Sequence, residues 1–243
     1  MSSETIISIN EDSGSSKLRK SNTVYHSVKR SILLRERQSG EALLEQGIAK
    51  SLGCSQGTVR EALLRLQDDG LVARRGYRGT VVSETTLQEA AYLSQIRIRL
   101  ESQGAHLAAK LATPADLEHI DGLLDQMDNA QVIGDSYELS ELDRELHLAI
   151  FRLSGLKVLE PVLTRSALHM HRYTFGNAPP AVDRTPVPSV EHRVILDFLR
   201  QRDGKGAAKA VRSHIEQVLE RWSPTLCQAM HDSLEGDPFA GEV

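Results

Sequence analysis

Apolar positions at the start of the chain repeat at helical spacing. From Ser21 to Arg37, Val24, Val28, Ile32 and Leu33 predict one helix, and shorter helical patterns follow from Gly47 to Leu52 and from Ser55 to Gln67. Asp69-Gly70 then breaks the periodicity. Two β-prone runs, Leu71 to Arg74 and Thr80 to Ser83, flank Arg75-Gly76-Tyr77-Arg78-Gly79, whose glycines suit a tight hairpin. Three helices and a hairpin within residues 21–83 predict a winged helix-turn-helix. Residues 1–20 are rich in Ser, Asn and acids and lack a repeating apolar pattern, which predicts a disordered tail.

After Ser83 the chain reads as helix throughout, with start signals that have a physical basis. Thr86 with Glu89 forms a capping-box pattern, Thr113-Pro114 with Asp116 supplies a cap and an N-terminal proline, and Asp135 with Glu138 repeats the arrangement. Further helices are expected from about Leu156 to Tyr173, from Ser189 to Arg202 after a loop at 177–188, and from about Lys205 to Trp222. Six helices with no sustained strand pattern predict an antiparallel bundle over residues 84–225, followed by a C-terminal tail at 226–243. The fold class is therefore mainly α. Aromatic residues are only 4% of the chain, so aliphatic side chains must fill the core, with Trp222 expected to close the bundle.

Charge separates the two modules. Residues 17–82 hold 13 basic and 6 acidic side chains, whereas residues 83–243 hold 16 and 24, although the whole chain carries only −4. A basic module joined to an acidic one suggests that the first meets a polyanion. No run approaches the length of an apolar membrane span, and the N-terminus lacks the features of a secretory signal, so a cytoplasmic protein without a membrane partner is expected. Cys54 and Cys227 are read as free thiols.

Within the basic module, Gly53 suits the turn between two helices and Ser55 suits the cap of the second. Val59, Ala62, Leu63 and Leu66 form that helix's apolar face, leaving Ser55, Gln56, Thr58 and Arg60 as candidates for the major groove. Arg75, Tyr77 and Arg78 on the wing are candidates for the DNA backbone or minor groove. Ser55, Val59-Arg60-Glu61-Ala62-Leu63, Asp69-Gly70-Leu71-Val72 and Arg78-Gly79 resemble the signature of the GntR family of transcription regulators over residues 22–83. That resemblance implies binding to a double-stranded DNA operator and adds Gln46, Gly57 and Gly79 to the candidate contacts. Family members usually carry Arg at the positions of Gln46 and Gln56, and Thr or Pro at Gly57. Glutamine favours adenine edges where arginine would favour guanine, so an operator poorer in G·C at those positions is expected.

In the acidic module, Asp143 and His147 stand four residues apart on one predicted helical face, where a carboxylate and an imidazole can share an ion. His192 and His214 lie on two later helices with apolar neighbours, and a bundle can bring three helices to one point. Arg97 with Leu100-Glu101, Asp143 with His147, Glu191-His192, and His214 resemble, in order and spacing, the FCD-type effector domain of the FadR subfamily in its shorter six-helix, VanR-like variant. The resemblance spans residues 86–222. It implies a divalent metal, zinc or nickel, held by Asp143, His147, His192 and His214, with open positions for a small organic acid whose carboxylate pairs with Arg97. His169 is a further candidate for effector contact; His26, His106, His119 and His231 are read as surface or packing residues.

Three functional readings remain open at this point. The first is a metabolite-responsive regulator, acting as a homodimer on paired half-sites, with repression the commoner sign in the resembling family. The second is a metalloenzyme, against which stand the absence of an evident general base beside the ligands and the idle DNA module. The third is a DNA-binding protein with a purely structural metal.

Overall fold

The computed structural model describes residues 11–177 and 189–235. The chain forms two compact units, the first reaching to Ser83 and the second starting at Glu84 and including Leu33–Arg35.

The first unit comprises α1 (Glu11–Leu33), α2 (Glu45–Leu52), α3 (Gln56–Asp68) and a two-stranded antiparallel sheet of β1 (Val72–Arg74) and β2 (Thr80–Val82). Register pairs Val72 with Val82 and Arg74 with Thr80, and an isolated bridge joins Ala42 to Val81. Gly53 adopts the left-handed backbone, φ 61°, that ends α2, and the Ser55 side chain accepts the Thr58 N–H to start α3. Val24, Val28, Ile32, Val59, Ala62, Leu66, Leu71 and Val82 are buried. The helix-turn-helix and hairpin expected over 21–83 are thus present.

α1 begins at Glu11 rather than Ser21, which corrects the expectation of disorder over residues 11–20; residues 1–10 lie outside the described residues. Leu18, Arg19 and Lys20 are exposed, so these turns have no apolar stripe to reveal them. Once Val24 and Val28 anchor the helix, propagation upstream adds one backbone hydrogen bond per residue without a new nucleus.

The second unit is a bundle of α4 (Leu87–Leu111), α5 (Pro114–Ile133), α6 (Ser136–Arg152), α7 (Glu160–Asn177), α8 (Ser189–Arg200), α9 (Gly204–Trp222) and α10 (Pro224–Glu235). Both sides of the capping boxes at Thr86/Glu89 and Thr113/Asp116 are formed, and Asp135 accepts from the N–H groups of Tyr137 and Glu138. α4 runs through the centre, packing against α6, α7, α8, α9 and α10. Its buried Ala90, Ala91, Gly104, Ala105, Ala108 and Ala109 let the neighbours approach closely.

α10 corrects the expected tail at 226–243. Leu226, Cys227 and Met230 are buried, and Gln95 Nε2 on α4 donates to Met230 O at 3.0 Å and Ser233 Oγ at 2.7 Å. The segment is short and half of its twelve residues are polar, yet Leu226, Cys227 and Met230 stand at helical spacing, so the stripe was present in the sequence. Of the loop expected at 177–188, Asn177 belongs to α7, and residues 178–188, like the tail beyond Glu235, lie outside the described residues.

Gly104 lets α4 pack closely against Phe151 of α6. A Cβ there would lie 2.6 Å from Phe151 Cδ2 and 3.3 Å from Phe151 Cα, and Phe151 is itself buried. Gly104→Ala is expected to destabilise the helical unit by about 1–3 kcal/mol, read as a lower urea midpoint at unchanged m-value. An unchanged or higher midpoint would show that α6 yields freely.

Candidate metal centre and nucleic-acid interface

Asp143 and His147 project from one face of α6, His192 from the first turn of α8 and His214 from α9. One ligand atom from each lies within 4.8 Å of all the others. The imidazole centroids are 4.2 Å apart for His192 and His214, 5.2 Å for His147 and His214, and 5.4 Å for His147 and His192. All three rings are buried. His192 Nε2 stands 2.9 Å from Asp143 Oδ1 and His147 Nε2 3.8 Å from it. Despite the proximity, neither Nε2 has an aligned hydrogen-bond partner. A buried polar atom left this way costs about 1–3 kcal/mol, and a cation between the four groups would satisfy it. The donor set therefore fits a divalent metal.

Carboxylates stand behind two of the rings, His147 and His214, whereas neither ring nitrogen of His192 has an aligned hydrogen-bond partner. Glu101 Oε2 on α4 lies 2.5 Å from His147 Nδ1, while Arg97 Nε donates to Glu101 Oε1 at 2.5 Å. Glu191 Oε2 lies 3.3 Å from His214 Nδ1, and Arg221 donates to its other oxygen at 3.0 Å. Carboxylates on Nδ1 leave Nε2 facing inward as ligand, the usual arrangement around a bound metal. Burial alone would raise Glu101, but Arg97 and His147 hold it down to about 2. The His214 contact and Arg221 hold Glu191 at about 2 as well. For Asp143, burial is outweighed by His192, His147 and Arg97, which keep the carboxyl well below its ordinary value. Burial, with His192 beside it, takes His214 down to about 4, so the ring is held as a neutral donor.

A cavity of about 80 Å³ opens on the Asp143 and His214 side of the cluster, with Arg97 in its wall. Sequence reasoning placed His169 there, but His169 Nδ1 instead bonds Thr85 Oγ1 at 2.8 Å. His171 lines the cavity; residues two apart on a helix point to different sides, and α7 turns the later one inward. Trp222 is buried at the bundle end, as expected, and also walls the cavity. His26, His119 and His231 are exposed and His106 is half-buried. Arg144 was not singled out from sequence; Glu101 and Glu191 entered only as marks of the family resemblance with no role assigned, and of His169 and His171, two residues apart, at most one was expected to line the pocket. The i, i+4 pair Arg97–Glu101 and the acid immediately before His192 were the available signals.

In the first unit, Gln46, Ser55, Gln56, Gly57 and Arg60 are exposed around the start of α3. Thr58 is not: it is 3% exposed, and both its N–H and its hydroxyl engage Ser55 Oγ, so it is part of the cap rather than a reading residue. Arg60 forms a two-pronged pair with Glu45 of α2, at 3.1 and 2.7 Å. On the wing, Arg75, Tyr77 and Gly79 are exposed, Tyr77 at 95%, while the Arg78 side chain lies outside the described residues.

Residues 20–82 match the model of the family described as bacterial regulatory proteins, gntR family, and residues 92–217 match the FCD domain model. The chain belongs to the GntR family. It is 27% identical to the HTH-type transcriptional regulator McbR of Escherichia coli K12 over 74% of this chain and 82% of that protein. It is 25% identical to the HTH-type transcriptional repressor NanR of Cronobacter sakazakii over 83% of this chain and 85% of that protein. The solved structure of E. coli McbR covers 86% of this chain and 97% of its own, with TM-score 0.69 at 24% identity, a likeness of fold. This GntR-family protein is a DNA-binding transcription regulator, and the proteins it resembles are regulators rather than enzymes.

His171 supplies a pH test separate from DNA binding. Burial, with Arg144 nearby, pushes its folded-state value down from 6.5 to about 4. The unfolded chain therefore binds the proton first, and His171's contribution to stability falls as pH drops from about 6.5 to 4. Urea unfolding is expected to show this loss, with a shallower dependence in His171→Gln; an identical slope in both would show that the ring protonates freely in the fold.

Proposed function

We propose that this regulator is a homodimeric cytoplasmic repressor whose operator affinity is controlled by a small carboxylate metabolite bound at a divalent metal in the FCD domain. The observation that carries this reading is the convergence of Asp143, His147, His192 and His214 beside a cavity walled by Arg97. Three imidazoles and one carboxylate suit zinc or nickel, and a four-residue protein set leaves open positions on a metal that accepts more than four ligands. Arg97, anchored through Nε to Glu101, is placed in the cavity wall to meet an effector carboxylate. The name of the related NanR, a transcriptional repressor, supports the sign. Paired winged helices reading two half-sites account for a dimer.

Fluorescence anisotropy of a labelled operator separates this from a purely structural metal. With metal bound, the effective acid is expected to weaken DNA affinity by about 5- to 150-fold, the range of ordinary allosteric coupling. The response should disappear on chelation and in His192→Ala. DNA affinity insensitive to every acid, with metal bound, would leave the metal a structural role.

The DNA contacts carry a second prediction. Gln46, Gln56, Gly57 and Arg60 at the α3 entry, with Ser55 as cap and Arg75, Tyr77, Arg78 and Gly79 on the wing, form the proposed interface. Site selection from random duplexes is expected to favour adenine at the positions read by Gln46 and Gln56, and Gln56→Arg to shift its position toward guanine. Native selection of guanine at both positions would contradict this.

A further inference from the structure

The walls of the cavity say more about its occupant than that it is an acid. Among the described residues two cationic side chains reach it, engaged in different ways: Arg97 meets its carboxylate through Nε, whereas Arg144 commits both terminal nitrogens. Arg97 is bound to buried Glu101, with side-chain exposures of 8% and 2%. Arg144 grips Glu141 through both nitrogens of its fork, NH2 to Oε2 at 2.8 Å, with exposures of 14% and 17%. His171 lines the cavity too, and burial with Arg144 nearby pushes its value down. Beyond Ser140 and Thr174, the remaining wall is apolar, formed chiefly by Met170, Ile215, Val218 and Trp222. Thr174 Oγ1 already donates to the carbonyls of Met170 and His171, so it offers a lone pair rather than a proton.

The charges then fix the class. A divalent cation with Asp143 as its anionic ligand leaves one positive charge over, which one carboxylate neutralises. A second carboxylate would enter an apolar wall, with Arg144 still occupied by Glu141. A buried carboxylate without a counter-charge is strongly disfavoured. At about 80 Å³ the inner space holds a handful of water-sized groups, which suits a small acid.

We propose that the effector is a short monocarboxylate with an uncharged, largely apolar tail, and that the Arg144–Glu141 pair is the specificity device that rejects a second carboxylate. This rests on the metal-bound acid reading given above. It identifies Glu141 as the residue that keeps a nearby guanidinium from recruiting dianions, a case of discrimination by occupation rather than by clash.

Calorimetric titration of the full-length, zinc-loaded chain tests it with chain-length pairs: butanoate against succinate, and pentanoate against glutarate. The monocarboxylate of each pair is expected to bind at least about tenfold more tightly. Glu141→Gln, which removes the anionic partner of Arg144, should narrow or reverse that ratio by raising dicarboxylate affinity. Should that variant fail to fold, the double variant Glu141→Gln with Arg144→Gln should keep the native order, because neither charge remains. Succinate or glutarate binding as tightly as its partner, while still depending on zinc, overturns this inference and leaves the metal-bound effector intact. Binding that is indifferent to chelation, or absent for both members of both pairs, overturns the inference and counts against the metal-bound reading itself.

Discussion

Three imidazoles and a carboxylate meeting in the bundle interior impose the constraint around which the helical unit is organised. Each buried ring nitrogen surrenders water, and two Nε2 atoms find no hydrogen-bond partner among the neighbouring groups. Such a cluster persists only if surrounding structure holds it. Here α4 supplies Arg97 and Glu101 behind His147, and α8 and α9 supply Glu191 and Arg221 behind His214. The small residues along α4 serve the same end, since close helix packing brings Glu101 within reach of α6.

α6 and α9, which carry three of the four clustered side chains, also wall the cavity, together with α4 and α7. α7 has two working sides: Met170, His171 and Thr174 face the cavity, while His169 bonds Thr85, in the segment that follows the last strand of the winged helix. α7 therefore connects the cavity wall with the start of the helical unit. Allosteric coupling requires such an element with different contacts in its two states.

Much of this was legible in the sequence because local rules and global packing agreed. Ser55, Thr86 and Thr113 announced three helix starts, and the Asp143–His147 spacing placed two ligands on one face. The misses have separate causes. The sequence upstream of Val24 carries no repeating apolar pattern, whereas α10 places Leu226, Cys227 and Met230 on one face and was missed because the segment is short. Thr58 was misread because a cap consumes its hydroxyl, and His169 because helical phase on α7 is fixed by packing that spacing alone does not reveal. Glu101 and Glu191 act through other residues, so their roles emerge only when distances between helices are known.

X-ray absorption at the metal edge of the purified chain tests the central claim most directly. The account predicts three imidazole nitrogens at roughly 2.0–2.1 Å with their ring multiple-scattering signature, together with carboxylate oxygen at about 2.0–2.2 Å for zinc. An edge spectrum dominated by water oxygens, or by fewer than three imidazoles, would mean that these four side chains do not hold a common ion.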